Sequence, residues 1–222
     1  MENNHEVYEI FERNQIKLFI SKEHRFGTDS LLLGEFAGQA KVENKVIVDL
    51  CSGCGVIPAM LTPFPEKAYA VELQQNAADL IRRTVEENKL DFLNVIQGDL
   101  RRSETFSRIG RESVDLVTAN PPYFPENSGF ERESVSQKTA RHEKECSLYD
   151  VVKAAAYLLK FGGELKMCMT ASRLAETIGI MQGFSIEPKE IELISSPKNN
   201  KARLFLISGK KGAKPGVKIT WK

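Results

Sequence analysis

The feature that most constrains the fold is the run Val46-Ile47-Val48-Asp49-Leu50, followed at once by Cys51-Ser52-Gly53-Cys54-Gly55 and then Val56-Ile57-Pro58-Ala59-Met60-Leu61. A short run that is apolar apart from Asp49 reads as a buried strand. Glycines at the turn let the backbone approach a ligand where a Cβ would collide. Strand, glycine-rich turn and helix together form the nucleotide-binding opening of a doubly wound α/β sheet. The loop lacks a full Gly-x-Gly-x-x-Gly, so by itself it does not say which nucleotide. The pair Cys51-x-x-Cys54 reads as small residues filling a tight loop. A metal site is not expected, because no second ligand pair lies at suitable spacing, and a redox pair at a helix start is the competing reading.

The strands that follow keep the same rhythm. Ala68–Leu73 ends in Glu72, about 20 positions after the first strand's acid, the spacing at which an acidic residue takes ribose hydroxyls; a plain strand-end surface residue is the alternative. Asn76–Asn88 predicts a helix burying Ala77, Leu80, Ile81, Thr84 and Val85. Val95–Asp99 is a third strand, whose Asp99 can accept from a purine amine or simply cap its loop. Glu164–Met169 after Phe161-Gly162-Gly163 is a fifth strand, between helices at Leu148–Leu159 and Ala171–Met181. Ile186–Ser195 and Ala202–Ser208 form a closing hairpin. The expected fold is a doubly wound, Rossmann-like, seven-stranded and mostly parallel sheet with an antiparallel closing strand. Residues 46–222 form that domain, and residues 1–45 form an extension: a hairpin, then a helix beginning near Thr28, Asp29 and Ser30. Any of those three can cap the helix, whose N–H groups favour an anionic ligand group.

The fourth strand carries the chemistry. Val114-Asp115-Leu116-Val117-Thr118-Ala119 runs into Asn120-Pro121-Pro122-Tyr123-Phe124 at the end where open α/β sheets handle ligands. Each proline removes a donor and holds the residue before it extended. The side-chain carbonyl of Asn120 and the backbone carbonyl of Pro121 can together hold an –NH2 group. Tyr123 and Phe124 can stack on a ring attached to that amine, a contact worth about 1–3 kcal/mol per base in nucleic-acid sites. A simple turn at a strand end is the bland alternative. The long polar run 125–146 suits a substrate loop, with Arg132, Lys138, Arg141, His142 and Lys144 placed for phosphates.

Charge supplies the second clue. The net charge is +1, yet no acid follows Glu192, while Lys198, Lys201, Arg203, Lys210, Lys211, Lys214, Lys218 and Lys222 do. That block reads either as a nucleic-acid footprint or as a lysine-protected sheet edge. No apolar run of about 18 residues exists to predict a transmembrane helix. The polar, acidic N-terminus is unlike a signal peptide. Four cysteines without a regular framework suggest a reduced, cytoplasmic setting. Composition does not fix an oligomeric state.

Taken in order, Asp49–Gly55, Glu72, Asp99 and Asn120–Tyr123 resemble the motifs of a class I S-adenosylmethionine-dependent methyltransferase that modifies amino nitrogens. With Arg25-Phe26-Gly27-Thr28-Asp29-Ser30-Leu31-Leu32-Leu33-Gly34 ahead of the first strand, the chain is similar to the bacterial tRNA1(Val) (adenine-37-N6)-methyltransferase family. The resemblance implies S-adenosylmethionine as cofactor and RNA, tRNA above all, as partner. It implies that the Arg25–Gly34 segment, with Thr28, helps close the cofactor site. Asp49, Cys51, Gly53 and Gly55 would surround the methionine end, Glu72 the ribose with Leu73 beside it, and Asp99 the adenine. Asn120, Pro121, Pro122 and Tyr123 would position the target adenine N6. Tyr123, Phe124, Arg141, Lys198, Lys201 and Arg203 are the candidate RNA contacts. Cys51 and Cys54 stand where that family usually has Gly and Thr. Two related readings, a protein-glutamine N5-methyltransferase and a ribosomal RNA amino-methyltransferase, use the same Asn-Pro-Pro-Tyr logic. The former family carries a helical substrate domain before the cofactor loop, whereas residues 1–48 alone precede Asp49 here. A non-catalytic nucleotide-binding module is the reading from another class.

Overall fold

A computed structural model describes residues 5–9, 15–61, 65–121, 146–195 and 201–222. Its centre is an eight-stranded sheet assembled from β3 (Val46–Leu50), β4 (Lys67–Glu72), β5 (Leu93–Gln97), β6 (Val114–Ala119), β7 (Leu159–Thr170), β8 (Ile186–Ser195), β9 (Ala202–Lys211) and β10 (Lys218–Trp221). The spatial order is β10-β8-β9-β7-β6-β3-β4-β5, so the sequence reverses direction beside β3 and opens a crevice between the β3 and β6 ends. All pairings are parallel except those of β9 with β7 and β8. The sheet therefore has one strand more than the sequence suggests. The extra one, β10, lies in the lysine-rich end, where its four residues give too short an apolar alternation to stand out.

Helices cover both faces. On one side α1 (Thr28–Gly38), α2 (Val56–Met60) and α3 (Gln75–Asn88) close a core containing Leu33, Phe36, Ile47, Ile57, Ala68 and Ile81. On the other, α4 (Leu148–Leu158) and α5 (Leu174–Gly183) cover Val48, Val71, Val117, Leu165 and Phe205. Apolar strands sandwiched this way must be hydrophobic on both faces, which is why they read as continuous runs rather than alternations.

The segment before β3 is built into this core. The strands β1 (His5–Glu9) and β2 (Lys17–Ser21) pair antiparallel, as the hairpin pattern predicts. Ile16, Leu18 and Ile20 are buried with the α1–α3 side. Asn88 at the end of α3 straps β2 down by accepting from the Lys17 N–H at 2.8 Å and donating to its carbonyl at 2.8 Å. Thr84 accepts the Phe19 N–H at 3.1 Å. Lys166 on β7 donates to the Phe36 carbonyl at 2.7 Å, a cation against the C-terminal turn of α1.

Two local devices were not legible as such. Ser147 and Asp150 form a capping box at the start of α4. The Phe161-Gly162-Gly163 run is an irregularity inside β7, not its boundary, and the register with β6 shifts between Val114 and Leu116. A Cβ at Gly163 would crowd the Val114 carbonyl at 2.9 Å, so the strand passes there only without a side chain.

Part of the basic block is structural. Lys211, at the end of β9, donates to the carbonyls of Ala156 and Leu159 at 2.8 Å each and pairs with Glu112 at 3.1 Å. It thereby terminates α4, whose last carbonyls lack intrahelical partners. Lys211→Met is expected to lower stability by about 1–3 kcal/mol, the cost of leaving those acceptors unmet, measured by urea unfolding. The same variant should leave nucleic-acid affinity unchanged in filter binding.

Candidate active site

The site is assembled at the C-terminal ends of β3, β4 and β6. Asp49 is 2% exposed and sits near the end of β3, opposite Thr118 of β6. Its carboxylate accepts the Thr118 hydroxyl at 2.6 Å and the Ser52 hydroxyl at 2.5 Å. One buried acid thus joins two neighbouring strands to the glycine loop. Burial pushes its carboxyl up to about 7 from the usual 3.8, the two hydroxyls pull it back, and nearby Glu72 raises it further.

The loop that follows is left-handed at three positions, with φ of 57° at Cys51, 56° at Gly53 and 80° at Gly55. The first is costly for a residue with a Cβ, and such strain clusters at ligand-handling sites. At Gly55 the constraint is packing as well, since a Cβ would press on Ile81 at 3.0 Å. At Gly53 a Cβ would meet no protein atom within 4 Å, because that residue borders open space. Glu72, at the end of β4, fastens this loop: its two carboxylate oxygens accept the Gly53 N–H at 2.8 Å and the Gln74 N–H at 2.9 Å. Burial raises the Glu72 pKa and those two N–H groups moderate the rise.

Two clefts meet over the loop. The larger, about 240 Å³, runs past Glu72, Leu73, Gly98 and Asp99 to Asn120. The other, about 190 Å³, lies under the start of α1, between Arg25, Gly27 and Asp29 on one side and Ser52 and Cys54 on the other. Cys51, Gly53 and Asn120 line both. Asn120 is therefore at the junction. Its Nδ2 donates to Asp29 Oδ2 at 2.9 Å and to Ser30 Oγ at 2.8 Å. Pro121 borders the α1 cleft.

The structure sorts the sequence-predicted residues. Cys51, Gly53, Glu72, Leu73, Asp99 and Asn120 converge on one surface. Asp49 and Gly55 line neither cleft; they lie behind it, holding the loop and the start of α2. Thr28 is exposed and also lines neither. The expected side-chain cap of α1 by Thr28, Asp29 or Ser30 is not made: the N-cap is Gly27, with no side-chain cap, and Asp29 and Ser30 turn to Asn120 instead. Asp99 is bound by the Arg101 guanidinium at 2.6 to 3.1 Å, which holds its carboxyl below the usual range. Lys201 and Arg203 are at the start of β9. Pro122, Tyr123, Phe124, Arg141 and Lys198, with Arg132, Lys138, His142 and Lys144, lie outside the described residues.

His24, Gln74 and Cys146 also line the larger cleft and were not anticipated. Cys146 lies beside Cys51, and that neighbour together with burial pushes the Cys51 thiol well up from its usual range. Burial likewise raises Cys54, to about 11. Nothing in the spacing of residues 51 and 146 signals that contact. No group of three or more metal-ligating side chains occurs among the described residues.

A parallel sheet in this order, with its crevice between β3 and β6 and one antiparallel strand beside β7, is the class I methyltransferase fold. The chain belongs to the methyltransferase small domain family, whose model matches residues 13–185. It is 30% identical to a Porphyromonas gingivalis tRNA1(Val) (adenine(37)-N6)-methyltransferase over 157 residues, 68% of this chain and 61% of that protein. A Histophilus somni protein of the same name is 32% identical over 152 residues, 65% of this chain and 60% of its own length. The chain thus matches about 60% of the length of these relatives. The solved structure of M. jannaschii TYW2 in complex with AdoMet superposes with a TM-score of 0.63 at 13% identity, covering 95% of this chain and 86% of that one.

The Asp49 environment has a thermodynamic consequence. Its folded pKa of about 7 lies above the unfolded value, so the folded state holds the extra proton and stability falls as pH rises from about 4 through 7. The gap converts to a ceiling of about 4 kcal/mol. Asp49→Asn, which keeps one acceptor and one donor for Thr118 and Ser52, is expected to flatten that slope in denaturant titrations at pH 5, 6, 7 and 8.

Proposed function

We propose that the chain is an S-adenosylmethionine-dependent methyltransferase that methylates an exocyclic adenine N6 in RNA, tRNA being the substrate class. The observation that carries this reading is Asn120 at the junction of the two clefts, with its amide nitrogen tied back to α1.

The residues fit the cofactor. The larger cleft has the acid, glycine and apolar surfaces that an adenosine needs, with Glu72 at the ribose and Asp99 at the adenine amine. Open space at Gly53 lets the backbone come close to a ligand. The α1 cleft, with the Arg25 cation and the polar loop residues, suits the amino-acid end. Glu72 and Asp99 give the larger cleft an acidic lining, which favours a cationic sulfonium. S-adenosylmethionine supplies, when bound, a methyl group activated on that sulfonium.

The protein's own work is then orientation. An exocyclic adenine amine is a poor nucleophile because its lone pair is delocalised into the ring. Acceptance of both its N–H groups by Asn120 Oδ1 and the Pro121 carbonyl favours a pyramidal nitrogen with its lone pair directed at the methyl. Two prolines in succession keep those carbonyls from being consumed by helix or sheet pairing. Positioning of this kind can contribute about 7–11 kcal/mol to a barrier. No strong base is needed, since the product ammonium is acidic enough to release its proton to water. Tyr123 and Phe124 are the stacking residues, and an adenine in a folded loop must first leave its stack, at about a few kcal/mol.

RNA as partner is supported by the two named relatives and by the way the sheet divides the basic block. β9 runs antiparallel to β7, so Arg203 near its start and Lys201 just before it stand at the same sheet end as Asn120. Lys210, Lys211 and Lys214 stand at the opposite end. β10 is parallel to β8 and brings Trp221, 64% exposed, and Lys222 back to the Asn120 end. With strands about 4.8 Å apart, β6 and β10 are separated by roughly 20 Å of sheet edge, a span suited to a folded nucleic acid.

Two measurements test this. Asn120→Ala should abolish transfer of labelled methyl to tRNA while leaving S-adenosylmethionine affinity within a few-fold in calorimetry; loss of cofactor binding as well would give Asn120 a different role. Neutralising Lys198, Lys201 and Arg203 should weaken RNA binding and reduce the slope of log affinity against log salt by up to about 2 to 3. Neutralising Lys210 and Lys214 should leave that slope alone; equal effects from both sets would remove the sheet end from the interface.

A further inference from the structure

We infer that the first turn of α1 is a positioning element for the target amine: Asp29 and Ser30 set which way the Asn120 amide faces. The inference rests on the proposed role of Asn120 and deepens it. An amide is nearly symmetric in shape, so a rotation of about 180° about its last bond exchanges oxygen and nitrogen at little steric cost. For a substrate amine the two orientations are opposites. With the oxygen turned to the substrate the amine donates to an acceptor; with the nitrogen there, two donors meet.

The amide nitrogen is held by partners outside β6. The selection comes from residues 91 and 90 positions away in the chain, Asp29 and Ser30. An ionised carboxylate has only acceptors, so an amide group facing it must present its nitrogen. Ser30 accepts the second hydrogen bond and is itself only 9% exposed. Both side chains are available because α1 starts at Gly27 without a side-chain cap. Gly27 also makes room: a Cβ there would collide with Asp29 Oδ1. The Thr-Asp-Ser string therefore acts here as a reader of the amide rather than as a helix cap.

The test compares Asp29→Ala, Asp29→Asn, Ser30→Ala and Gly27→Ala in the full chain. Labelled methyl transfer to tRNA gives kcat and KM, calorimetry gives S-adenosylmethionine affinity, and thermal melting confirms folding. Asp29→Ala is expected to lower kcat at saturating S-adenosylmethionine at least tenfold, with KM for tRNA within threefold. Asp29→Asn, which restores an acceptor oxygen, should recover kcat to within threefold of the natural protein. Ser30→Ala should lose less than Asp29→Ala. Gly27→Ala should reproduce the Asp29→Ala loss by displacing the carboxylate without removing it. In parallel, hydrogen exchange of the Asn120 side-chain amide, followed by nitrogen-15 NMR, should be protected in the natural protein and in Asp29→Asn and fast in Asp29→Ala. Unchanged kcat in Asp29→Ala, or an Asp29→Asn variant as impaired as Asp29→Ala, overturns the inference, as does a fall in cofactor affinity alone. If the natural protein transfers no methyl to tRNA, the functional reading fails, while the exchange measurement still decides whether α1 holds the amide.

Discussion

The Asp49 carboxylate is the interaction on which the rest of the site depends. It is nearly inaccessible, and its two hydroxyl partners come from different elements, Thr118 on β6 and Ser52 in the glycine loop. Parallel strands at a sheet's switch point have no direct cross-connection at their ends, so a crevice opens there. A side chain that bridges the crevice at its base fixes the distance between the loop and Asn120 without filling the space above. The cost of burying it appears as a carboxyl lifted to about 7. A hydrophobic residue would pack there at lower cost and would leave the Ser52 and Thr118 hydroxyls without a partner.

Glu72 repeats the same device one strand further out. Both of its oxygens accept backbone N–H groups, one from the loop and one from the turn into α3. Asp49 and Glu72 together pin the loop from below and from the side, which lets Cys51, Gly53 and Gly55 hold left-handed conformations. Local strain of this kind persists only where surroundings over-determine it. The acids at the ends of β3 and β4 are thus as much builders of the cleft as candidate ligands within it.

Much of this was legible in the sequence because buried parallel strands advertise themselves. Val46–Leu50, Ala68–Glu72 and Val114–Ala119 are predominantly apolar runs, broken only by Asp49, Asp115 and Thr118 before their polar ends, and the glycine spacing at 53 and 55 identifies the loop between strand and helix. What escaped was structure set by neighbours rather than by local pattern. β10 pairs at the sheet edge through only four residues among lysines, and a glycine pair inside β7 looks like a break. Among charged residues, Lys211 counts as one more basic group until its partners on α4 are known. The cap of α1 was misread for the opposite reason. Thr, Asp and Ser at a helix start have a strong local preference for capping, and here a tertiary partner, Asn120, outcompetes it.

That competition bears on why an amide occupies position 120. Asp29 lies within hydrogen-bond distance, and Glu72 and Asp99 line the same cleft as Asn120. A carboxylate at 120 would face Asp29 directly, and like charges at such separation force one of them to take up a proton. The pair would then share a hydrogen whose location depends on pH, and the surface turned to a substrate would alternate between donor and acceptor. Asparagine removes that ambiguity: it has an oxygen with the acceptor capacity of a carboxylate, no charge to add to the acidic ring, and a nitrogen that satisfies Asp29. If Asn120 holds the substrate amine as proposed, a neutral group suits that place better, since a strong base there would compete for the proton the product must lose only after transfer. The same acidic surroundings that favour a cation in the cleft therefore disfavour an acid at the end of β6, and the residue type at 120 follows from the charges around it.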